Sequence, residues 1–94
     1  GSDTGAVYDG EYIYKFTPPQ IPIREATGAG DAFISTFTTG IIKKYSVEKS
    51  LKMAIINTCN IIQHHGGANS GNLSLSEILK RIRKTKLRIK KVKI

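Results

Sequence analysis

Glu25-Ala26-Thr27-Gly28-Ala29-Gly30-Asp31-Ala32-Phe33 is the stretch at which this chain changes from extended to helical. Downstream of Thr27, apolar and small residues recur at Ala29, Ala32, Phe33, Thr36, Phe37, Gly40 and Ile41, the i, i+3, i+4 spacing of a helix face. Thr27 stands where its hydroxyl can cap that helix. A helix N-terminus offers unpaired N–H groups and the positive end of the macrodipole, which suits an anion. Glycines at 28 and 30 permit turn conformations that other residues resist and let a phosphate oxygen reach the backbone, and Ala29 keeps the approach open. Asp31 then falls in the first turn. A carboxylate beside an anion hole repels phosphate, so binding alone gives it little purpose. It has one if it takes a proton from a hydroxyl that attacks phosphorus. Spacing alone leaves a plainer reading open, a tight loop with a helix-starting acid, because short glycine motifs have low specificity.

Upstream, Ala6-Val7-Tyr8 and Tyr12-Ile13-Tyr14-Lys15-Phe16 flank Asp9-Gly10 and predict a hairpin with a two-residue turn at Asp9-Gly10. Tyr12, Tyr14 and Phe16 then share one face, with Ile13 and Lys15 on the other. Pro18, Pro19 and Pro22 predict an extended run over 17–23. Downstream of the first helix, Lys43 and Lys44 suit its C-terminal end. A second helix is predicted from near Ser46 to about His64, with Val47, Leu51, Ala54, Ile55, Thr58, Ile61 and Ile62 as its main stripe and Met53, Ile56 and Cys59 alongside. Residues 66–72 read as a flexible polar loop. Ser74-Leu75-Ser76-Glu77 is a capping box that starts a third helix, with Leu73 and Ile78 placed as a hydrophobic staple. From Thr85 the alternation Lys86-Leu87-Arg88-Ile89-Lys90 predicts a solvated edge strand or a frayed tail.

Ninety-four residues suffice for one small domain, and 39% hydrophobic with 23% charged residues is ordinary for a globular protein. The net charge of +8 is unevenly spread. Nine basic residues and no acid lie from Lys80 onward, which leaves six basic groups against all seven acids in residues 1–79, a net of −1. The basicity therefore belongs to the tail. Cys59 is the only cysteine, so no internal disulfide forms and a reducing, cytoplasmic setting is expected. No apolar run approaches the roughly 20 residues of a membrane span, and no membrane partner is expected.

The segment Glu25–Phe33 resembles the C-terminal signature of the ribokinase-like (PfkB) family of carbohydrate kinases. The surroundings resemble it too: a Val7-Tyr8-Asp9-Gly10 hairpin, a proline-containing stretch, the signature, a second helix, the Gly67-Ala68 loop and a final helix. The resemblance covers about residues 5–84. It implies an α/β fold, the C-terminal part of a three-layer αβα architecture built as a β-hairpin followed by three helices. The expected organisation is a nucleotide-binding portion over 1–84 and a basic tail or edge strand over 85–94. By the resemblance Asp31 is the general base toward a hydroxyl of a sugar or nucleoside, and Gly28, Ala29 and Gly30 form the anion hole for the transferring phosphoryl group. ATP with Mg²⁺ is the implied donor. Asn57, Gly67, Ala68 and Asn69 are implied to lie near the nucleotide, and no metal ligand is assigned. The family signature commonly opens with aspartate and threonine where this chain has Glu25 and Ala26, so a monovalent-cation site is not carried over.

Family members are several times longer, and their acceptor-binding residues lie in the part that precedes this segment. The expectation is a C-terminal portion of a kinase, inactive alone, whose partner is the missing N-terminal part of the enzyme. Two alternatives have their own logic. Apolar surface left uncovered would drive association with another chain, including a second copy. A binding module could use residues 80–94 on nucleic-acid phosphates, but interleaved aromatics and nucleic-acid signatures are absent, and a solvated end is the expected reading. The adjacent His64 and His65 diverge by about 100° on a helix and suit its C-terminal end better than a metal. Cys59 reads as a small core residue.

Overall fold

The computed structural model describes residues 5–17, 21 and 23–94, apart from the side chain of Asn69. The predicted extended run over 17–23 falls largely outside these residues. The elements are β1 (Gly5–Tyr8), β2 (Tyr12–Phe16), α1 (Ala29–Ile42), α2 (Val47–Ile62), α3 (Ala68–Gly71), α4 (Leu75–Lys84) and β3 (Ile89–Lys93). They form a three-stranded antiparallel sheet in the order β1-β2-β3, covered on one face by helices. The α/β class is as predicted. Residues 66–72, expected to be a loop, include the single turn α3, closed by Gly71 N–H donating to Gly67 O at 2.8 Å.

The hairpin turn is displaced by one residue from its expected place. Asp9 N–H donates to Tyr12 O at 3.2 Å, so the two central residues are Gly10 and Glu11. Gly10 takes φ 99°, a conformation that glycine adopts without steric cost at the first centre of a hairpin turn. Asp9 organises the turn instead of occupying it. Its Oδ1 accepts from Glu11 N–H (2.9 Å) and Tyr12 N–H (2.7 Å), and its Oδ2 accepts from the Tyr14 hydroxyl at 2.9 Å.

The faces of β2 divide as their period of two requires. Tyr14 is buried against Leu51 and Ile55 of α2, with Val7, Tyr12, Phe16, Phe33, Phe37 and Ile89 packed around them. The basic end of the chain is ordered as a strand, because Ile89 pairs with Phe16 and supplies an apolar residue to this same face. Its lysines remain at the surface, and Lys91 Nζ lies 4.1 Å from the centre of the Tyr12 ring as a cation–π contact.

α2 is the centre of the molecule. Leu51, Met53, Ala54 and Ile61 are fully closed to solvent. One side of α2 meets the sheet and α1. The other meets α4 through Met53, Ile56 and Ile78, with Leu73, Leu75, Leu79 and Ile82 around them. Burying a Leu- or Ile-sized side chain stabilises by roughly 1.5–3 kcal/mol, so this helix carries a large part of the fold. Ser46 caps it, accepting from Lys49 N–H at 3.0 Å. In α4 only half of the capping box forms: Ser74 Oγ accepts from Glu77 N–H, while the Glu77 carboxylate turns to Arg81 at 3.4 Å. The Leu73–Ile78 staple is present.

α1 and α2 meet where Gly40 lies against Ser50. A Cβ at Gly40 would overlap the Ser50 hydroxyl and stand 3.0 Å from its Cα. α1 then ends in a turn closed by Tyr45 N–H donating to Gly40 O at 3.0 Å, with Lys44 at φ 65° in the left-handed position usually given to glycine. Its outer side carries Ile34, Ile41 and Ile42, exposed by 66%, 42% and 74%.

Two outcomes follow from these contacts. Gly40→Ala forces α1 off Ser50 and is expected to lower stability by about 1–3 kcal/mol, read as a fall in Tm. The backbone N–H groups of Tyr12 and then Glu11 hold the Asp9 carboxyl below its ordinary pKa. A depressed folded-state pKa gives stability that is present above the unfolded value near 3.9 and lost as pH falls through the folded value. Asp9→Asn is therefore expected to flatten the loss of Tm below about pH 4, measured by thermal melts across that range.

Candidate active site

The loop before α1 is built by its neighbours. Arg24 and Glu25 both direct their N–H groups to Ile62 O, at 2.7 and 3.2 Å, which docks this strand-like segment on the end of α2. The Thr27 hydroxyl was expected to cap α1. It instead donates to Glu25 Oε1 at 2.5 Å, with Thr27 N–H on the same oxygen at 3.3 Å. The reason lies at the next residue: Gly28 is the N-cap, in the left-handed region at φ 78° and ψ 1°, and α1 begins without a side-chain cap. These bonds to Thr27 hold the Glu25 carboxyl below its usual range, helped by the charge of nearby His65.

From the other side the loop is backed by residues 67 and 68. Ala68 N–H donates to Thr27 O at 3.1 Å. A Cβ on Gly67 would lie 2.5 Å from that same carbonyl oxygen, and a Cβ on Gly28 would lie 2.9 Å from the Ala68 methyl. The two glycines of the motif thus have different causes. Gly28 is required by its φ and by Ala68. Gly30 is required by nothing inside the described residues, since a Cβ there would meet no atom within 4 Å.

That openness coincides with unpaired donors. At this end of α1, Ala29 N–H reaches Ala26 O and Ala32 N–H reaches Gly28 O, both at 3.0 Å. Among the described residues, the N–H groups of Gly30 and Asp31 have no hydrogen-bond acceptor. Asp31 is exposed in the first turn, clear of any ion pair among the described residues. With Gly28 N–H also unpaired among the described residues, the arrangement offers three free N–H groups, an open approach and one carboxylate beside it, while Ala29 N–H, expected in the anion hole, is turned to Ala26 O.

The other predicted residues divide. Gly67 and Ala68 lie directly behind the loop. Asn69 stands in α3, its side chain outside the described residues. Asn57 has a different use from the expected nucleotide contact. It is 2% exposed, its Nδ2 donates to Thr36 Oγ1 (3.0 Å) and Asn72 Oδ1 (2.8 Å), and its Oδ1 accepts from Leu73 N–H at 2.8 Å. Both amide donors are engaged in tying α1, α2 and residues 72–73 together. The resemblance implies a polar residue near this position; the stripe read from the sequence did not include position 57, and its burial appears only in the structure. His64 Nδ1–H donates to Asn60 O at 2.6 Å, satisfying a terminal carbonyl of α2 as a helix-ending histidine does.

The sequence matches the profile described as pfkB family carbohydrate kinase over residues 1–73. The chain belongs to the pfkB family. It is 28% identical over 89 residues to a ribokinase of Lactococcus lactis subsp. lactis, covering 95% of this chain and 29% of that protein. It is 42% identical over 53 residues to an ATP-dependent 6-phosphofructokinase of Thermoanaerobacterium thermosaccharolyticum, covering 56% of this chain and 16% of that one. A structure described as a sugar kinase from Clostridium perfringens superposes on the whole chain with TM-score 0.82 and 23% identity, using 29% of its own length. One described as a phosphofructokinase from Staphylococcus aureus superposes on 99% of the chain at TM-score 0.73 and 20% identity, using 28% of its length. The fold is therefore the ribokinase-like one, and the chain spans less than a third of each of these proteins.

Because Gly28 meets both a positive φ and the Ala68 methyl, Gly28→Ala is expected to cost about 1–3 kcal/mol of stability. It should also disturb the amide chemical shifts of residues 29–32 and 67–68 more than those of β1 and β2, which a two-dimensional NMR comparison would check.

Proposed function

We propose that residues 28–31 are the phosphoryl-transfer end of a carbohydrate kinase active site, in a polypeptide that moves the terminal phosphoryl group of ATP to a hydroxyl of a sugar or nucleoside. The observation that carries this reading is the coincidence at one helix end of free Gly30 and Asp31 N–H groups, an unobstructed approach at Gly30 and an exposed Asp31 carboxylate. Phosphoryl transfer needs positioning and charge stabilisation more than covalent chemistry. The free N–H groups and the positive end of α1 would receive the charge that builds on the phosphoryl oxygens. Asp31 would accept the proton of the attacking hydroxyl, and its negative charge deters phosphate from resting there without a proton to take.

Mg²⁺ fits this site as a companion of the triphosphate, since magnesium is commonly held by substrate phosphates with one or two carboxylates. Asp31 is the free carboxylate at this end; Glu25 is engaged with Thr27. Gly67, Ala68 and Asn69 would form the edge toward the nucleotide, with Gly67 and Ala68 acting through the loop they support. The ribokinase and the phosphofructokinase similar to this chain support the sugar-kinase class. The acceptor-binding half of the site belongs to the remainder of the polypeptide. The 94-residue chain alone is then inactive, and its place is a soluble cytoplasmic enzyme.

The test uses the complete kinase polypeptide that contains this chain. Asp31→Asn is expected to lower phosphoryl transfer by at least about 10²-fold while nucleotide binding, followed by calorimetry, persists. Transfer by the Asn variant at the wild-type rate would remove Asp31 as the base. Robust turnover by the isolated chain would overturn the division of the site.

A further inference from the structure

The loop at the head of α1 is connected to α4 through one side chain outside residues 28–31. Asn60 lies on α2, half-buried, between two elements. Its Nδ2 donates to Gly71 O at 2.7 Å, and its Oδ1 accepts from Arg81 Nη1 of α4 at 2.9 Å. Arg81 is itself steadied by Glu77 one turn earlier. Gly71 sits so close to α2 that a Cβ there would stand 2.7 Å from Ile61 Cα and 2.9 Å from Asn60 O. The C-terminal end of α3 is thereby fixed on α2.

The N-terminal end of α3 is fixed on the site. Gly71 N–H donates to Gly67 O at 2.8 Å, and Ala68 N–H donates to Thr27 O at 3.1 Å, one residue before the left-handed Gly28. α3 is a single turn, so a shift at Gly71 has no length of helix in which to dissipate before it reaches Ala68. A continuous run of hydrogen bonds therefore leads from Arg81 through Asn60, Gly71 and Gly67 to the backbone that presents residues 28–31.

We propose that Asn60 is a positioning residue for phosphoryl transfer, holding α3 against the Thr27–Gly28 backbone and so fixing where the anion-binding N–H groups point. The inference rests on the proposed role of residues 28–31. The residue type follows from the chemistry. An amide carries a donor and an acceptor on one rigid plane, and the site uses both. Aspartate keeps the bond to Arg81 but sets a carboxylate against the Gly71 carbonyl, and alanine loses both partners.

Two measurements test it, on Asn60→Asp and Asn60→Ala. In the 94-residue chain, amide hydrogen exchange at Ala68 and Gly71 is expected to quicken at least about tenfold, with Ala54 and Ile55 in the middle of α2 unchanged. In the complete kinase polypeptide, kcat is expected to fall about tenfold with the acceptor KM unchanged, the signature of a misplaced reacting group. Unchanged exchange at Ala68 overturns the proposal, and so does acceleration spread evenly along α2, which is global loosening. Faster exchange at Ala68 with an unaltered kcat also overturns it. A wild-type polypeptide without any transfer activity removes the phosphoryl-transfer reading instead, and Ala68 exchange still decides whether Asn60 holds the loop.

Discussion

Everything in this molecule hangs on α2, a helix closed to solvent on nearly every side. Leu51, Met53, Ala54 and Ile61 have no exposed surface, and the sheet, α1, α3 and α4 are each built against it. Its interior polar groups do structural work as well. Asn57 ties α1 to the 72–73 turn, Asn60 ties α3 to α4, and the carbonyl of Ile62 receives both Arg24 and Glu25. The loop before α1 is in this sense a surface feature of α2, held there by backbone bonds from two directions. Its geometry is determined by a helix that carries none of its proposed chemical groups.

The helices and strands were largely legible in the sequence because their signals are local. Ser46 and Ser74 cap as their positions predict, and the alternation of Tyr12, Tyr14 and Phe16 sets the buried face of β2. The failures share one cause, competition among nearby hydrogen bonds that periodicity cannot rank. Thr27 stands at a cap position, yet Glu25 two residues earlier captures its hydroxyl, and the capping passes to a glycine with no side chain. Asp9 and Gly10 both favour a turn, and Asp9 takes the outer position because its carboxylate then gathers three donors. The alternation from Lys86 left an edge strand and a frayed tail open, and the strand is decided by Ile89 pairing with Phe16, more than seventy residues away.

For the proposed site, the motif named one loop with Asp31 and two glycines, but not why each glycine is there. Gly28 answers to Ala68 and to its own φ; Gly30 answers to open space. That distinction is tertiary, because it depends on where residue 68 lies. Asn57 shows the opposite lesson. The resemblance implied a ligand role for it, while its bonds to Thr36, Asn72 and Leu73, which no local pattern reports, give it a structural one. Asn60 and Arg81 had no sequence signal, since a half-buried asparagine on a helix is indistinguishable from a solvated one until its partners are seen.

The contact of Gly40 with Ser50 has a consequence for motion. At that point the α1 backbone rests directly on one short side chain of α2, so sliding the helices past each other meets hard-core repulsion before softer packing can yield. α1 and α2 therefore travel as one stiff body, and the loop they share travels with them. Such a body is a fixed support, and whatever moves elsewhere in the fold moves relative to it.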